Sequence, residues 1–382
     1  MRNLVLLFSL TSLLQAELKI GPTLHLNATA GLTSSGDPSD VAALEHDPND
    51  NFGLQGLDLG LNLHWSDWLQ GFVNINAFTD AEGGLDAEWE EGFIKLHDLP
   101  GGFSLRAGRY LNRFGLQNSV HLHGWDFASG NLSTSRFLGE EGLATEGAEL
   151  TWLYDYDQGF LALSGSFGNI AGHGHEEEEG GHDEHGDTVE DAYFSDTAWT
   201  VRALLSYNQT DFHQHRFGLS TAAGDNGYGG GRETELFGAD YVYTWRENGL
   251  EAGGKELSLG LEYTYGSADW VHEDDPANSG NTNYGTFMAF ANYRFHENWE
   301  AGLRYEKSNG RQDGAEIHMG ETEYAFLVED HQRITAALTH DFSINEFDSL
   351  VRLQYQYDDL PEDTAHSVFL QFELNFGPGE IR

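Results

Sequence analysis

Three features of this sequence predict an all-β fold, a membrane-spanning antiparallel β-barrel of about sixteen strands. Between Lys19 and Phe376, some sixteen short segments alternate apolar and polar residues. The gaps between them alternate short and long, as tight turns on one side of a membrane and long loops on the other require. The apolar sets also end in aromatics such as Trp65, Trp245, Trp299, Tyr305 and Tyr357, residue types that settle at membrane–water interfaces.

Taken in order, the chain opens with MRNLVLLFSLTSLLQA, a basic start, an apolar stretch from Leu4 to Leu14 and a small residue at Ala16. Residues 1–16 read as a secretory signal peptide and 17–382 as the barrel. The opening run is shorter than the ~20 apolar residues a membrane helix needs. Strands are expected near 19–31, 52–64, 69–78, 87–97, 102–110, 145–155, 159–168 and 197–208. The remaining eight are expected near 212–222, 234–247, 256–268, 283–295, 298–308, 331–342, 347–357 and 366–376. Counts of fourteen or eighteen are compatible with the same spacing. With both ends on the periplasmic side, the gaps 32–51, 79–86, 111–144, 169–196, 223–233, 269–282, 309–330 and 358–365 become extracellular loops.

The alternation assigns the two faces. From Leu57 to Trp65 the odd positions are apolar, with Asp58, Asn62 and His64 between them. In the last strand Val368, Leu370, Phe372, Leu374 and Phe376 stand against Gln371, Glu373 and Asn375. Period two places the sets on opposite faces of a sheet. A soluble β-sandwich gives the same local pattern. Strands of about 10 residues, aromatic ends, and full charges at Arg202, Arg304, Arg333 and Arg352 on the opposite face favour a wet lumen and a lipid-facing exterior.

Composition narrows the function. There is no cysteine, which removes disulfides, thiolate metal sites and cysteine catalysis. A formal charge of −44 argues against nucleic acid as a partner, and 13% aromatics argue against an acidic disordered chain. No Gly-x-Ser-x-Gly elbow stands out, so an enzyme is not expected. The loops at 32–51, 169–196, 269–282 and 358–365 hold many carboxylates and no Lys or Arg. Such a mouth concentrates cations, an effect weakened by salt. Generic solubility, or divalent ions bridging the loops to lipopolysaccharide, would account for the same acids.

One loop has sharper chemistry. It carries His173 and His175, then Glu176, Glu177, Glu178 and Glu179, then His182, Asp183, Glu184 and His185. Imidazoles with carboxylates suit Zn2+, Cu2+ or Ni2+. The interspersed glycines give a loose metal-catching tract rather than a rigid structural site, and any His-rich surface tract would bind metal in this way. No cofactor is required.

The longest gap, 111–144, includes Arg113, Phe114, the run NSVHLHGWDF from Asn118 to Phe127, and RFLGEEGL from Arg136 to Leu143. It is rich in Trp, Phe and Leu, which an exposed loop does not need. The barrel interior is the surface available to it. His121 and His123 would point the same way on an extended segment. With Asp126 they form either a metal way-station or an anchor to the wall.

Here the chain resembles Gram-negative porins of the sixteen-stranded type. The resemblance implies a third loop folded into the lumen, passive diffusion of small solutes, outer-membrane lipid and lipopolysaccharide as surroundings, and a homotrimer. It also implies a constriction, for which the candidates are Arg106, Arg113, His121, His123, Asp126, Glu140, Glu141 and Arg304. In this picture Glu140 and Glu141 face Arg106 and Arg304 across the pore. The runs at 121–127 and 137–143 also resemble outer-membrane proteins described as zinc-regulated TonB-dependent receptors. Those receptors carry a plug before the barrel, whereas only a few residues separate Ala16 from the first strand. The expectation is therefore a cation-preferring channel serving small solutes or divalent cations such as zinc. The alternatives are a general or sugar-selective porin with an incidental His tract, and a surface metal sink or adhesin without transport.

Overall fold

In the computed structural model the described residues are 18–35, 47–48, 50–79, 84–138, 142–171, 194–251, 253–271, 277, 279–313, 330–345, 347–360 and 363–381. The expected signal peptide, Glu140, Glu141 and the His173–His185 tract lie outside them. Sixteen strands form one closed antiparallel barrel in which each pairs with its chain neighbours and the last closes on the first. They are β1 (Lys19–Thr33), β2 (Phe52–Ser66), β3 (Leu69–Thr79), β4 (Leu85–Leu99), β5 (Phe103–Leu111) and β6 (Ala144–Tyr156). Next come β7 (Gly159–Ile170), β8 (Phe194–Thr210), β9 (His213–Asn226), β10 (Glu233–Arg246) and β11 (Glu256–Val271). The last five are β12 (Ser279–His296), β13 (Trp299–Asp313), β14 (His331–Ile344), β15 (Phe347–Asp359) and β16 (Thr364–Phe376). Closure leaves no strand edge, which satisfies every backbone ladder without disulfides.

The faces are assigned as the alternation predicts. Leu219 is 64% exposed on the outside, while Glu262 is 4% exposed on the inside. Leu261, Tyr263, Leu303, Leu353, Tyr355 and Leu370 project outward in the same way. On β10, Trp245 and Phe237 belong to opposite ends of this apolar surface. Eight residues separate them, roughly 26 Å along the strand and about 20 Å of height at the usual tilt. That is close to the apolar band of a membrane barrel.

Several strands outrun their sequence-based limits at the long-loop end. Residues Ser279–Thr282 of β12 pair with β11, and Asn281–Asn283 pair with Arg311–Asp313 of β13. The ladder continues there although neither segment alternates. Above the lipid both faces are wet, so pairing no longer imposes an apolar side.

The inner face differs from a simple wet lining. Arg202, Arg304, Arg333 and Arg352 all point inward, and all are buried. Arg202 forks onto Asp240 at 2.8 and 3.1 Å, and Arg333 meets Asp358 at 2.7 Å. The space they would have shared with water is filled by the segment between β5 and β6.

That segment enters the lumen, as its apolar content predicts. It contains a 3-10 turn at Leu122–Gly124 and a short helix α1 (Leu132–Leu138) that packs on β11, β12 and β13. Its large side chains sit on wall glycines. A Cβ at Gly266 would lie 2.6 Å from the Phe137 ring, one at Gly302 would lie 3.1 Å from Phe127, and one at Gly56 would lie 3.0 Å from Leu122. Phe137 also stacks on Tyr284 with ring centres 4.5 Å apart. Burying each such side chain contributes about 1.5–3 kcal/mol.

Candidate functional site: the divided lumen

A loop crossing the lumen has no strand to pair with, so its backbone groups need other partners. The wall side chains supply them. The amides of Leu116, Leu132 and Ala128 donate to Glu262 (2.6 Å), Glu306 (2.8 Å) and Gln354 (2.8 Å). Arg304 donates to the carbonyls of Ser129 and Gly130 at 3.0 and 3.1 Å, and to Ser129 Oγ at 3.0 Å. It also pairs with Glu306 at 2.9 Å and lies 4.7 Å from the Phe127 ring centre. Arg352 donates to the Trp125 carbonyl at 3.0 Å. The buried charges of β11, β13 and β15 therefore hold the loop.

Between the loop and strands β9–β13 lies a cavity of about 350 Å3, bounded by Asp126, Arg216, Arg246, Glu256, Ser258 and Arg304 among others. Both signs of charge are present. Arg246 is tied to Glu256 at 2.7 Å and Arg304 to Glu306, which leaves Asp126 on the loop and Arg216 on the wall as exposed charges lining it. Enclosure by the barrel raises the pKa of the Asp126 carboxyl, and Arg352 and Arg304 oppose that rise. This cavity is the open side of the lumen.

The opposite side, against β1–β5, is occupied by the end of the chain. Gly377 takes φ +109°, in a position where a Cβ would meet the Pro22 carbonyl at 2.4 Å. A residue with a side chain would be strained there. From it the chain turns off β16 into the barrel. Asn62 donates to the Gly379 carbonyl at 3.1 Å and accepts from the Ile381 amide at 2.9 Å. Ile381 packs among Phe72, Phe93 and Tyr110. The residue before it, Glu380, is brought against three histidines.

The expected site residues divide between these two halves. His121 and His123 do converge, though from a 3-10 turn rather than an extended segment, because Leu122 seats on Gly56 between them. The two nitrogens of His121 lie 3.1 Å from Glu91 and 3.1 Å from Glu380. His123 lies 3.7 Å from Glu380 and 3.6 Å from Asp58, and its ring stacks on His25 at 3.6 Å. Asp126 is not with them; it lines the cavity. Arg106 and Arg113 both reach Glu149 at 3.1 Å, and Arg106 also donates to the Leu111 carbonyl at 3.3 Å. Local sequence signals do not bring His25, Asp58, Glu91, Glu380 and Arg216 to the site. Alternation had put Asp58 on the lumen face, but nothing local marks the tail as turning inward.

No family model matches the chain. An uncharacterized protein of Aquifex aeolicus is 41% identical over 64 residues, and the match spans 17% of this chain and 13% of that protein's length. Solved structures match almost end to end. A loop L8 deletion mutant of OmpT, an outer membrane protein of Vibrio cholerae, has a TM-score of 0.57 at 11% identity, covering 94% of this chain and 99% of that one. The same protein has also been solved in a trimer form, with a TM-score of 0.54 at 10% identity over 94% and 99% of the two chains. An anion-selective porin from Comamonas acidovorans gives 0.56 at 13%, covering 94% and 100%. The outer membrane channel DcaP of Acinetobacter baumannii gives 0.54 at 12%, covering 94% and 97%. At these identities the likeness is one of architecture: the chain is a porin-type, sixteen-stranded barrel.

Proposed function

We propose that this protein is an outer-membrane diffusion channel for small hydrophilic solutes, not an enzyme, with a cation preference set at its mouth. The observation that carries this reading is the cavity beside the in-folded loop, lined by charges of both signs within an apolar-coated barrel. In such a passage Asp126 and Arg216 set a transverse field that sorts solutes by charge and dipole. The passage charges come close to cancelling. The acidic long loops and the charge of −44 therefore decide which ions are enriched outside it. Assembly as a homotrimer in lipid and lipopolysaccharide belongs to the same reading, supported by the trimer form of the Vibrio protein. The His173–His185 tract, between β7 and β8 at the long-loop end, supplies ligands that would collect zinc-like divalent cations there.

Swelling of proteoliposomes in small neutral and charged solutes tests the reading. Swelling that falls off with solute size is expected, and liposomes that stay osmotically tight would overturn it. The cation preference should be strongest at low salt and fade as the screening length shrinks from ~10 Å at 0.1 M to ~3 Å at 1 M.

The aspartate has its own signature. Ionised Asp126 attracts cations, and its raised pKa means that it neutralises above the ordinary carboxylate value of ~3.9. Reversal potentials should therefore show cation preference weakened as pH falls through a point above that value. Asp126→Asn should show the weaker preference at every pH. An unchanged titration in that variant would remove Asp126 from the selectivity account.

A further inference from the structure

The cluster around Glu380 contains a buried imidazole nitrogen that makes no hydrogen bond among the described residues. Asn375 Nδ2 donates to Glu373 at 2.5 Å, which fixes its amide with Oδ1 toward His25. That oxygen can only accept, so the 2.7 Å contact makes His25 Nδ1 the protonated nitrogen. In the neutral ring His25 Nε2 then presents its lone pair toward Glu380 Oε1, 3.8 Å away. The nitrogen is buried and has no hydrogen-bond partner among the described residues, and His25 is 8% exposed. A neutral imidazole lone pair aimed at a carboxylate is repulsive. A cation between them turns the arrangement into a ligand pair.

We propose that His25, His123 and Glu380 bind one divalent transition ion of the zinc class, and that the ion fastens the C-terminal tail to the in-folded loop. One ligand atom from each residue lies within 4.8 Å of the other two. Metal–ligand distances of ~2.0–2.2 Å in a tetrahedron put ligand atoms about 3.4 Å apart. The separations of 3.7 Å from His123 Nε2 to Glu380 Oε2 and 3.8 Å from His25 Nε2 to Glu380 Oε1 need only a small contraction, and the carboxylate can offer either oxygen. The stacked rings of His25 and His123 must also open, since an ion cannot lie in two parallel ring planes. Rotation of one imidazole achieves this. Two imidazoles and a carboxylate select borderline ions over Mg2+ or Ca2+.

Supporting contacts are already in place. Asn375 holds the tautomer of His25, Asp58 lies beside the other nitrogen of His123, and His121 holds Glu380. Groups of this kind orient ligands and raise their basicity. The ligands come from β1, the loop and the tail, so binding closes the β1–β5 side of the lumen. The site goes beyond the channel reading and stands apart from it, because metal uptake needs no conductance.

The test is Zn2+ binding by the purified, folded full chain, counted by equilibrium dialysis, with Co2+ absorption reporting coordination geometry. To silence the mouth, His173, His175, His182 and His185 are changed together to Gln. This variant should retain one Zn2+ per chain and give the intense visible bands of low-symmetry Co2+. Adding Glu380→Gln or His25→Gln should abolish both, and adding Asn375→Leu should weaken binding roughly 10–100-fold. Heat-modifiable migration on gels confirms that each variant is a folded barrel. If the four-His variant takes up no Zn2+, or if uptake survives Glu380→Gln and His25→Gln, the proposal fails.

Discussion

Replacing Arg304 by alanine should release the in-folded loop and widen the pore. This guanidinium holds two loop carbonyls and one hydroxyl, pairs with Glu306 and covers the Phe127 ring. Its removal strands Glu306, 1% exposed, with the Leu132 amide as a much weaker partner. Breaking a buried pair by deleting one member costs on the order of 3–5 kcal/mol. The barrel has another ladder of support in its closed strands, so the loss should fall on the loop. Conductance should rise and become noisier, while the unfolded fraction on heat-modifiability gels changes little at room temperature. Arg304→Lys should show an intermediate effect, since it keeps the charge but loses the planar fork. Unchanged conductance in Arg304→Ala would show that the loop is held without this residue.

Ending the chain at Phe376 should open the other half of the lumen. The tail places Ile381 among Phe72, Phe93 and Tyr110 and Glu380 among the histidines. Without it, those aromatics and the three imidazoles face water along β1–β5. Loss of a buried aliphatic of this size costs about 2–5 kcal/mol. The expected outcome is a second conducting path, read as larger unit steps together with lower thermal stability. Because a truncation could also disturb assembly, Ile381→Asn in the full-length chain is the companion variant. It should weaken the tail's hold and raise the frequency of larger steps. A truncated barrel with the same unit conductance would mean that the tail side does not limit flow.

The strands were legible because lipid outside and water or polar protein inside impose period two. Runs such as Leu57–Trp65 and Val368–Phe376 cannot satisfy both surroundings in any other register. The same rule explains the failure at Ser279–Thr282, where strand pairing continues beyond the lipid and alternation stops. The inward loop was legible because Phe114, Phe127 and Phe137 have no reason to be in an exposed loop. Its clamps were not. Arg304 and Ser129 are 175 residues apart, and nothing local selects that partner over another inward arginine. His25 opposite Asp58 was hidden for a related reason: β1 and β2 are joined by a long gap, which does not fix register as a tight turn would. The tail offered a single apolar residue, Ile381, too little to mark a buried segment.

A thiol on the cavity wall tests directly whether the aqueous path runs beside the loop along β9–β13. Since the protein has no cysteine, Ser258→Cys places a single thiol on the wall of that cavity. Unit conductance of this variant would be recorded in planar bilayers before and after a charged methanethiosulfonate reagent, with wild type as the control. The expected result is a stable channel whose conductance drops on modification only in Ser258→Cys. A barrel that does not conduct, or one whose modified thiol leaves conductance unchanged, would contradict a path along β9–β13.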